Sequence, residues 1–275
     1  CGPADAPLEG LHRFVSARFD HLCAVDALGS VRCWGTACSD ECAVPVDLGP
    51  VIQVTTGYGY SCALTDIGEV RCWGEAPTLP AELEPIVILK SGGSHLCGVT
   101  RSGTLQCWGA NDLGQASVPS DLGVVRAIAL GDVHTCAVHG EDKVDCWGGP
   151  TGEIPTDLSK TLSLTAGAAN TCALSTEGDV SCWYSIAESE PVPAPALPKM
   201  LSLDAGFWHV CGVSKEGDVI CWGYNGDGQL EIPSGRRNNT GVIATETFSC
   251  GVQRDGEVFC WGAAPEQLTD VVDVR

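Results

Sequence analysis

The sequence predicts an all-β chain that folds as a seven-bladed β-propeller, with one hairpin disulfide in each blade. Three observations support this. A segment bounded by two cysteines recurs seven times, its cysteines are always ten residues apart, and a short β-branched segment precedes most copies. Successive copies lie 39, 35, 39, 36, 39 and 39 residues apart. Repeats of this length are typical of solenoids, propellers and arrays.

Each cysteine-bounded segment predicts a β-hairpin. Pairing its two cysteines across the strands leaves a three-residue loop, whose last residue favours the left-handed conformation and therefore glycine. Glycine has that place in six copies, and Asp142, a residue type that tolerates the conformation, has it in the seventh. Uniform ten-residue spacing does not suit zinc. The predicted disulfides are Cys23–Cys33, Cys62–Cys72, Cys97–Cys107, Cys136–Cys146, Cys172–Cys182, Cys211–Cys221 and Cys250–Cys260.

Three cysteines lie outside the repeat. Cys38 and Cys42 share one loop, where we expect an eighth, local disulfide, with a surface metal site as the alternative. Cys1 is then unpaired. Processing of bacterial lipoproteins leaves an N-terminal cysteine, so we expect a lipid on Cys1; the alternative is a chain boundary that falls on a cysteine by chance. Residues 1–10 would form a tether and residues 11–275 the propeller.

The β-branched segment before each hairpin predicts a further strand, as in VIQVTTG from Val51. A glycine follows five of these segments, whereas the first and last copies have Arg18 and Thr245 at that place. Residues 270–275, DVVDVR, resemble the same segment without a hairpin after it. We expect this extra strand to close the ring, because closure removes exposed sheet edges.

Composition limits the function. Seventeen cysteines indicate an oxidising compartment. A net charge of −20 disfavours nucleic acid and anionic membranes, so membrane attachment is expected only through a lipid on Cys1. The sequence has no catalytic motif and suggests no metal or cofactor. We therefore expect a binding protein rather than an enzyme, although a propeller lyase or hydrolase with an axial site is a less favoured alternative.

The repeat resembles that of the regulator of chromosome condensation family. Each copy approximates Gly-x-x-His, a small residue with Leu or Val, Gly-x-Val and Trp-Gly, and Asn-x-x-Gly-Gln follows at Asn111–Gln115 and Asn225–Gln229. The resemblance implies a seven-bladed propeller, here of a secreted or lipoprotein type with a cysteine pair in each repeat. It also implies that the repeat histidines are structural and bonded to nearby backbone. These histidines are His21, His95, His134 and His209.

The turns before the hairpins share one level, so their side chains should converge on one face of the ring. Exposed aromatic residues are typical binding anchors, although they could instead pack between blades. We place the loops after each Trp-Gly on the opposite face, as a second candidate interface. The predicted anchors are Phe19, Tyr58, Tyr60, Phe207, Trp208 and Phe248.

The predicted function is an extracytoplasmic protein–protein interaction module with an unknown protein partner. The favoured form is a lipid-anchored subunit of an envelope or surface assembly, at the outer membrane or cell surface, and the alternative location is periplasmic or secreted. A secreted inhibitor or a lectin-like binder is the alternative function.

Overall fold

A computed structural model describes residues 14–19, 21–26, 28–35, 39–158, 160–168, 170–184 and 194–264. These residues form seven antiparallel sheets of three strands, blades 1 to 7 in chain order. The strands are β1 (Phe14–Arg18), β2 (His21–Val25), β3 (Val31–Gly35); β4 (Val51–Gly57), β5 (Tyr60–Thr65), β6 (Val70–Gly74); β7 (Ile86–Ser91), β8 (His95–Thr100), β9 (Leu105–Gly109); β10 (Val125–Leu130), β11 (His134–His139), β12 (Lys143–Gly148); β13 (Thr161–Ala166), β14 (Asn170–Ser175), β15 (Val180–Tyr184); β16 (Met200–Ala205), β17 (His209–Ser214), β18 (Val219–Gly223); and β19 (Asn239–Ala244), β20 (Phe248–Gln253), β21 (Val258–Gly262).

The described ranges also hold a 3-10 helix at Asp40–Cys42. They contain no helix whose length and apolar character would allow it to cross a bilayer.

The hairpins have the register that the sequence predicts, and all seven predicted disulfides are present. Cys62 lies opposite Cys72, and the same pairing recurs in every blade. The six loop glycines have φ between 82° and 92°, and Asp142 has φ 67°. Cys42 is also disulfide-bonded. Its expected partner Cys38, the expected lipid site Cys1 and residues 270–275 lie outside the described residues.

The first strand of each blade lies next to the axis, and these inner strands form a closed ring. β1 contacts β4 on one side and β19 on the other, and each remaining inner strand contacts the next. Glycine near the end of the strand makes this approach possible. A Cβ atom on Gly167 would lie 1.8 Å from the carbonyl oxygen of Gly206, and one on Gly206 would lie 1.9 Å from that of Thr245.

Strand direction defines two faces of the ring. The turn face carries residues 19, 58–59, 93–94, 132–133, 168, 207–208 and 246–247, and the hairpin face carries the loops that follow the second strands, such as residues 66–68. The third strand of a blade runs parallel to the first, so it also ends on the turn face. The loops after Trp-Gly therefore begin on the turn face, where the N–H of Ala110 donates to Ser94 O. Their predicted placement on the opposite face is wrong.

The repeat histidines join neighbouring blades. Each ring places Nε2 2.8–3.0 Å from a hydroxyl of the next blade, on Ser61, Thr135, Thr171 or Ser249. The hydroxyls of Ser61, Thr135 and Ser249 donate their own proton to a backbone carbonyl, so the histidine is the donor in those three pairs. The expected direct bond from histidine to backbone is therefore replaced by a bond through a hydroxyl. Burial lowers the pKa of His95, His134 and His209 to about 4.

Candidate functional site

Two pairs of aromatic side chains lie on the turn face. Phe19 is 53% exposed and meets Tyr58 edge to face, with ring centroids 5.9 Å apart. Phe207 and Trp208 form a second edge-to-face pair at 5.1 Å, and Trp208 is 39% exposed. Edge-to-face contacts hold such rings in place, so four of the six predicted anchors lie at or near the surface of this face.

The other two predicted anchors lie inside the protein. Tyr60 and Phe248 are each 1% exposed, and the Tyr60 hydroxyl donates to His95 O at 3.0 Å. Both open the second strand of their blade, which is the position that the repeat histidines have in other blades. Side chains there point towards the next blade rather than to solvent. The prediction that Tyr60 and Phe248 are exposed anchors is therefore corrected: they are packing residues.

Tyr224 is an aromatic residue of the turn face that the sequence analysis missed. Its side chain is 51% exposed, and its N–H donates to Trp208 O at 3.0 Å. It follows Gly223 directly and therefore begins one of the loops that were assigned to the opposite face. Counting strand directions would have placed it beside Trp208.

A charged cluster closes the centre of the turn face. Arg18 has the place where five of the other blades carry glycine, and its guanidinium pairs with Asp132, three blades away. The Tyr58 hydroxyl donates to the same carboxylate at 2.6 Å, and the Arg18 guanidinium lies 5.6 Å from the centre of the Tyr58 ring. The side chains of Arg18 and Asp132 are only 16% and 14% exposed.

Electrostatics keep Arg18 charged and Tyr58 neutral. Burial opposes the charge on Arg18, but the attraction of Asp132 outweighs it, and the pKa of Arg18 lies above its ordinary value. Burial, together with the bond to Asp132, raises the pKa of Tyr58 well above its usual range. Arg18 is therefore a cation and Tyr58 a neutral phenol over the physiological pH range.

The turn face thus combines exposed aromatic rings with a closed, charge-balanced centre. Within the described residues, no three His, Cys, Asp or Glu side chains converge as a metal site would require. The arrangement suits contact with another macromolecule, because rigid aromatic side chains give large contact area at low entropic cost.

The profile of the regulator of chromosome condensation (RCC1) repeat matches residues 51–75, 86–115 and 201–229. Together with the seven sheets of three strands, these matches show a seven-bladed propeller with RCC1 repeats in blades 2, 3 and 6. None of the curated proteins matches it.

Several solved structures share the fold of this propeller. The CRINKLY WD40 ectodomain of the Arabidopsis thaliana receptor kinase ACR4 is 22% identical, with TM-score 0.77, covering 95% of this chain and 99% of that one. The ectodomain of the Physcomitrella patens receptor kinase CR4 is 24% identical, with TM-score 0.75, covering 91% and 73%. Prp20p of Saccharomyces cerevisiae is 18% identical, with TM-score 0.71, covering 86% and 81%. At these identities the likeness concerns the fold.

Proposed function

We propose that this RCC1-repeat propeller is an extracytoplasmic protein-binding module and that its turn face is the contact surface. The observation that carries the proposal is the aromatic cluster of this face. Exposed aromatic side chains, already positioned by their neighbours, are the residue types that contribute most to protein–protein affinity. The cluster consists of Phe19, Tyr58, Phe207, Trp208 and Tyr224.

The disulfides support the extracytoplasmic location. Thiols in the cytosol are kept reduced, whereas this chain has a bonded cysteine pair in every blade. Two structures of the same fold are ectodomains of receptor kinases. A lipid on Cys1, with residues 1–10 as the tether, would anchor the propeller to the outer membrane or cell surface; without the lipid it would be periplasmic or secreted.

The proposed partner is a protein. A net charge of −20 opposes contact with nucleic acid and with anionic lipid. Prp20p, which has the same fold, binds Gsp1p and histones, so propellers of this type can present a protein-binding face. We propose a binding role without catalysis, because the turn face offers aromatic contact area and a paired, closed centre.

The test compares truncations of exposed apolar side chains on the two faces. Trp208→Ala and Phe19→Ala should each weaken binding of a co-purified native partner roughly thirtyfold or more, because hot-spot truncations cost about 2 kcal/mol or more. Ile67→Ala is the matched control, since Ile67 is 73% exposed on the hairpin face. Affinity would be measured by surface plasmon resonance.

Equal affinity of the parent, Trp208→Ala and Phe19→Ala would contradict the turn face as the contact surface. A loss confined to Ile67→Ala would assign binding to the hairpin face instead.

A further inference from the structure

A cavity of about 500 Å³ runs along the axis of the ring and is lined by the seven inner strands. The Arg18–Asp132 pair lies at its turn-face end. A volume of this size falls within the range of small-molecule sites. The cavity is distinct from the aromatic cluster, and its role does not depend on the proposed function.

The inner strands follow a hydrogen-bonding rule at this cavity. Among the described residues, no strand pairs with the axial edge of an inner strand, so the N–H groups of that edge need another acceptor. In four blades, the inner-strand residue that lies opposite the first hairpin cysteine has a side-chain oxygen. This oxygen accepts from a backbone N–H of the inner strand of the next blade. The pairs are Ser16 Oγ with Thr56 N (3.1 Å), Thr55 Oγ1 with Ser91 N (3.0 Å), Thr165 Oγ1 with Ala205 N (2.9 Å) and Asp204 Oδ2 with Ala244 N (2.8 Å).

In the other three blades, this position has no side-chain oxygen that could accept. The same position holds Lys90, Ala129 and Ile243, and none of these side chains can accept a hydrogen bond. By the shared register, the N–H groups of the next inner strands, on Leu130, Ala166 and Ala17, face the axis. No side chain of the described residues accepts from them.

Two of these N–H groups without a side-chain acceptor, here called uncapped, lie on consecutive blades and near a lysine. Lys90 in blade 3 precedes Leu130 in blade 4 and Ala166 in blade 5, and all three line the cavity. Lys90 is exposed to this space and has no ion pair among the described residues. The Asp204 carboxylate lines the same cavity and attracts the Lys90 ammonium, but it already accepts from Ala244 N at 2.8 Å and from Thr165 Oγ1 at 3.2 Å. This sector therefore presents two backbone donors and a positive charge.

We propose that this sector binds a small oxyanion, a carboxylate or a phosphate. The Lys90 ammonium would supply the charge, and the N–H groups of Leu130 and Ala166 would donate to the oxyanion. Charge-assisted hydrogen bonds from backbone N–H groups and lysine are the usual means of holding such groups.

The test is an amide titration of the full chain. Inorganic phosphate and acetate are added separately to ¹⁵N-labelled protein at constant ionic strength, against sodium chloride. Either probe should shift the amide signals of Leu130 and Ala166, and the two arms show which oxyanion is preferred. The capped amides of Ser91, Ala205 and Ala244 lie at the same level and should stay unchanged. Absence of shifts with both probes, or shifts only outside the cavity, would overturn the proposal.

A substitution gives an independent readout. Lys90 has the same position in its blade as Thr55 has in the preceding blade, where the Thr55 hydroxyl accepts from Ser91 N. Lys90→Thr therefore removes the charge and supplies a hydroxyl that can accept from Leu130 N. It should weaken oxyanion binding roughly tenfold or more, with an unchanged or raised melting temperature because Leu130 gains an acceptor. Lys143→Thr, at an exposed position of strand β12, is the control and should bind as the parent does. Undiminished binding by Lys90→Thr would refute the role of Lys90.

Discussion

Buried neutral histidines connect blades in this propeller. Burial lowers the pKa of His95, His134 and His209 to about 4, whereas an unfolded chain has histidines near 6.5. The rings of His95 and His209 donate to a hydroxyl of the next blade, and the ring of His134 lies within hydrogen-bond distance of one. The neutral form already provides these interactions. Protonation therefore adds a buried charge without adding a partner.

The pH dependence of stability follows from this shift. As the pH falls from 6.5 to 4, these histidines become protonated in the unfolded chain but stay neutral in the folded chain, so the free energy of unfolding should fall. Each histidine contributes on the order of 3 kcal/mol. Urea denaturation at several pH values measures this loss. In His209→Gln the amide can still donate to Ser249, and the slope of the free energy of unfolding against pH should be smaller than in the parent. An unchanged slope in His209→Gln would contradict the pKa assignment.

Residue roles could be predicted only where the repeat defines them. Tyr60 and Phe248 share the position of the structural histidines, so their burial was available from the alignment of copies. The pairing of Arg18 with Asp132 was not, because 114 residues separate them and the only local signal is the missing glycine. The uncapped N–H groups beside Lys90 likewise require three-dimensional neighbours.

At the scale of the element, the hairpin is stabilised by its own covalent bond. Replacing Cys97 and Cys107 together by alanine should lower the free energy of unfolding by roughly 2–3 kcal/mol, the chain-entropy value for an 11-residue loop. The same change at Cys211 and Cys221 is the matched control, because its loop has equal length. Equilibrium urea unfolding would compare them. A loss below about 0.5 kcal/mol in both variants would show that the reduced hairpin is already ordered.

The hairpins were predictable because local chemistry defines them. Cysteine spacing and the loop glycine gave one register independently, and the structure has that register. The loops after Trp-Gly were misplaced because their face depends on how many strands precede them in a blade. Local sequence does not report that number, and Tyr224 was missed as a result.

At the scale of the whole molecule, Arg18 and Asp132 tie blade 1 to blade 4 across the axis. Asp132→Asn should leave the guanidinium without an anion and lower the free energy of unfolding by roughly 2–3 kcal/mol, somewhat less than for a fully buried pair. The double variant Arg18→Gly, Asp132→Asn restores the glycine of the repeat and should regain part of the loss. Thermal and urea unfolding measure both variants, and a double variant no more stable than Asp132→Asn would contradict the pairing.

The central claim is that each blade is closed by its own disulfide and that the propeller therefore works in an oxidising compartment. Peptide mapping of the protein from its native source, without reduction, tests this most directly. The account predicts seven cross-linked peptides, each joining cysteines ten residues apart. Free thiols at these positions, or bonds between different blades, would contradict it.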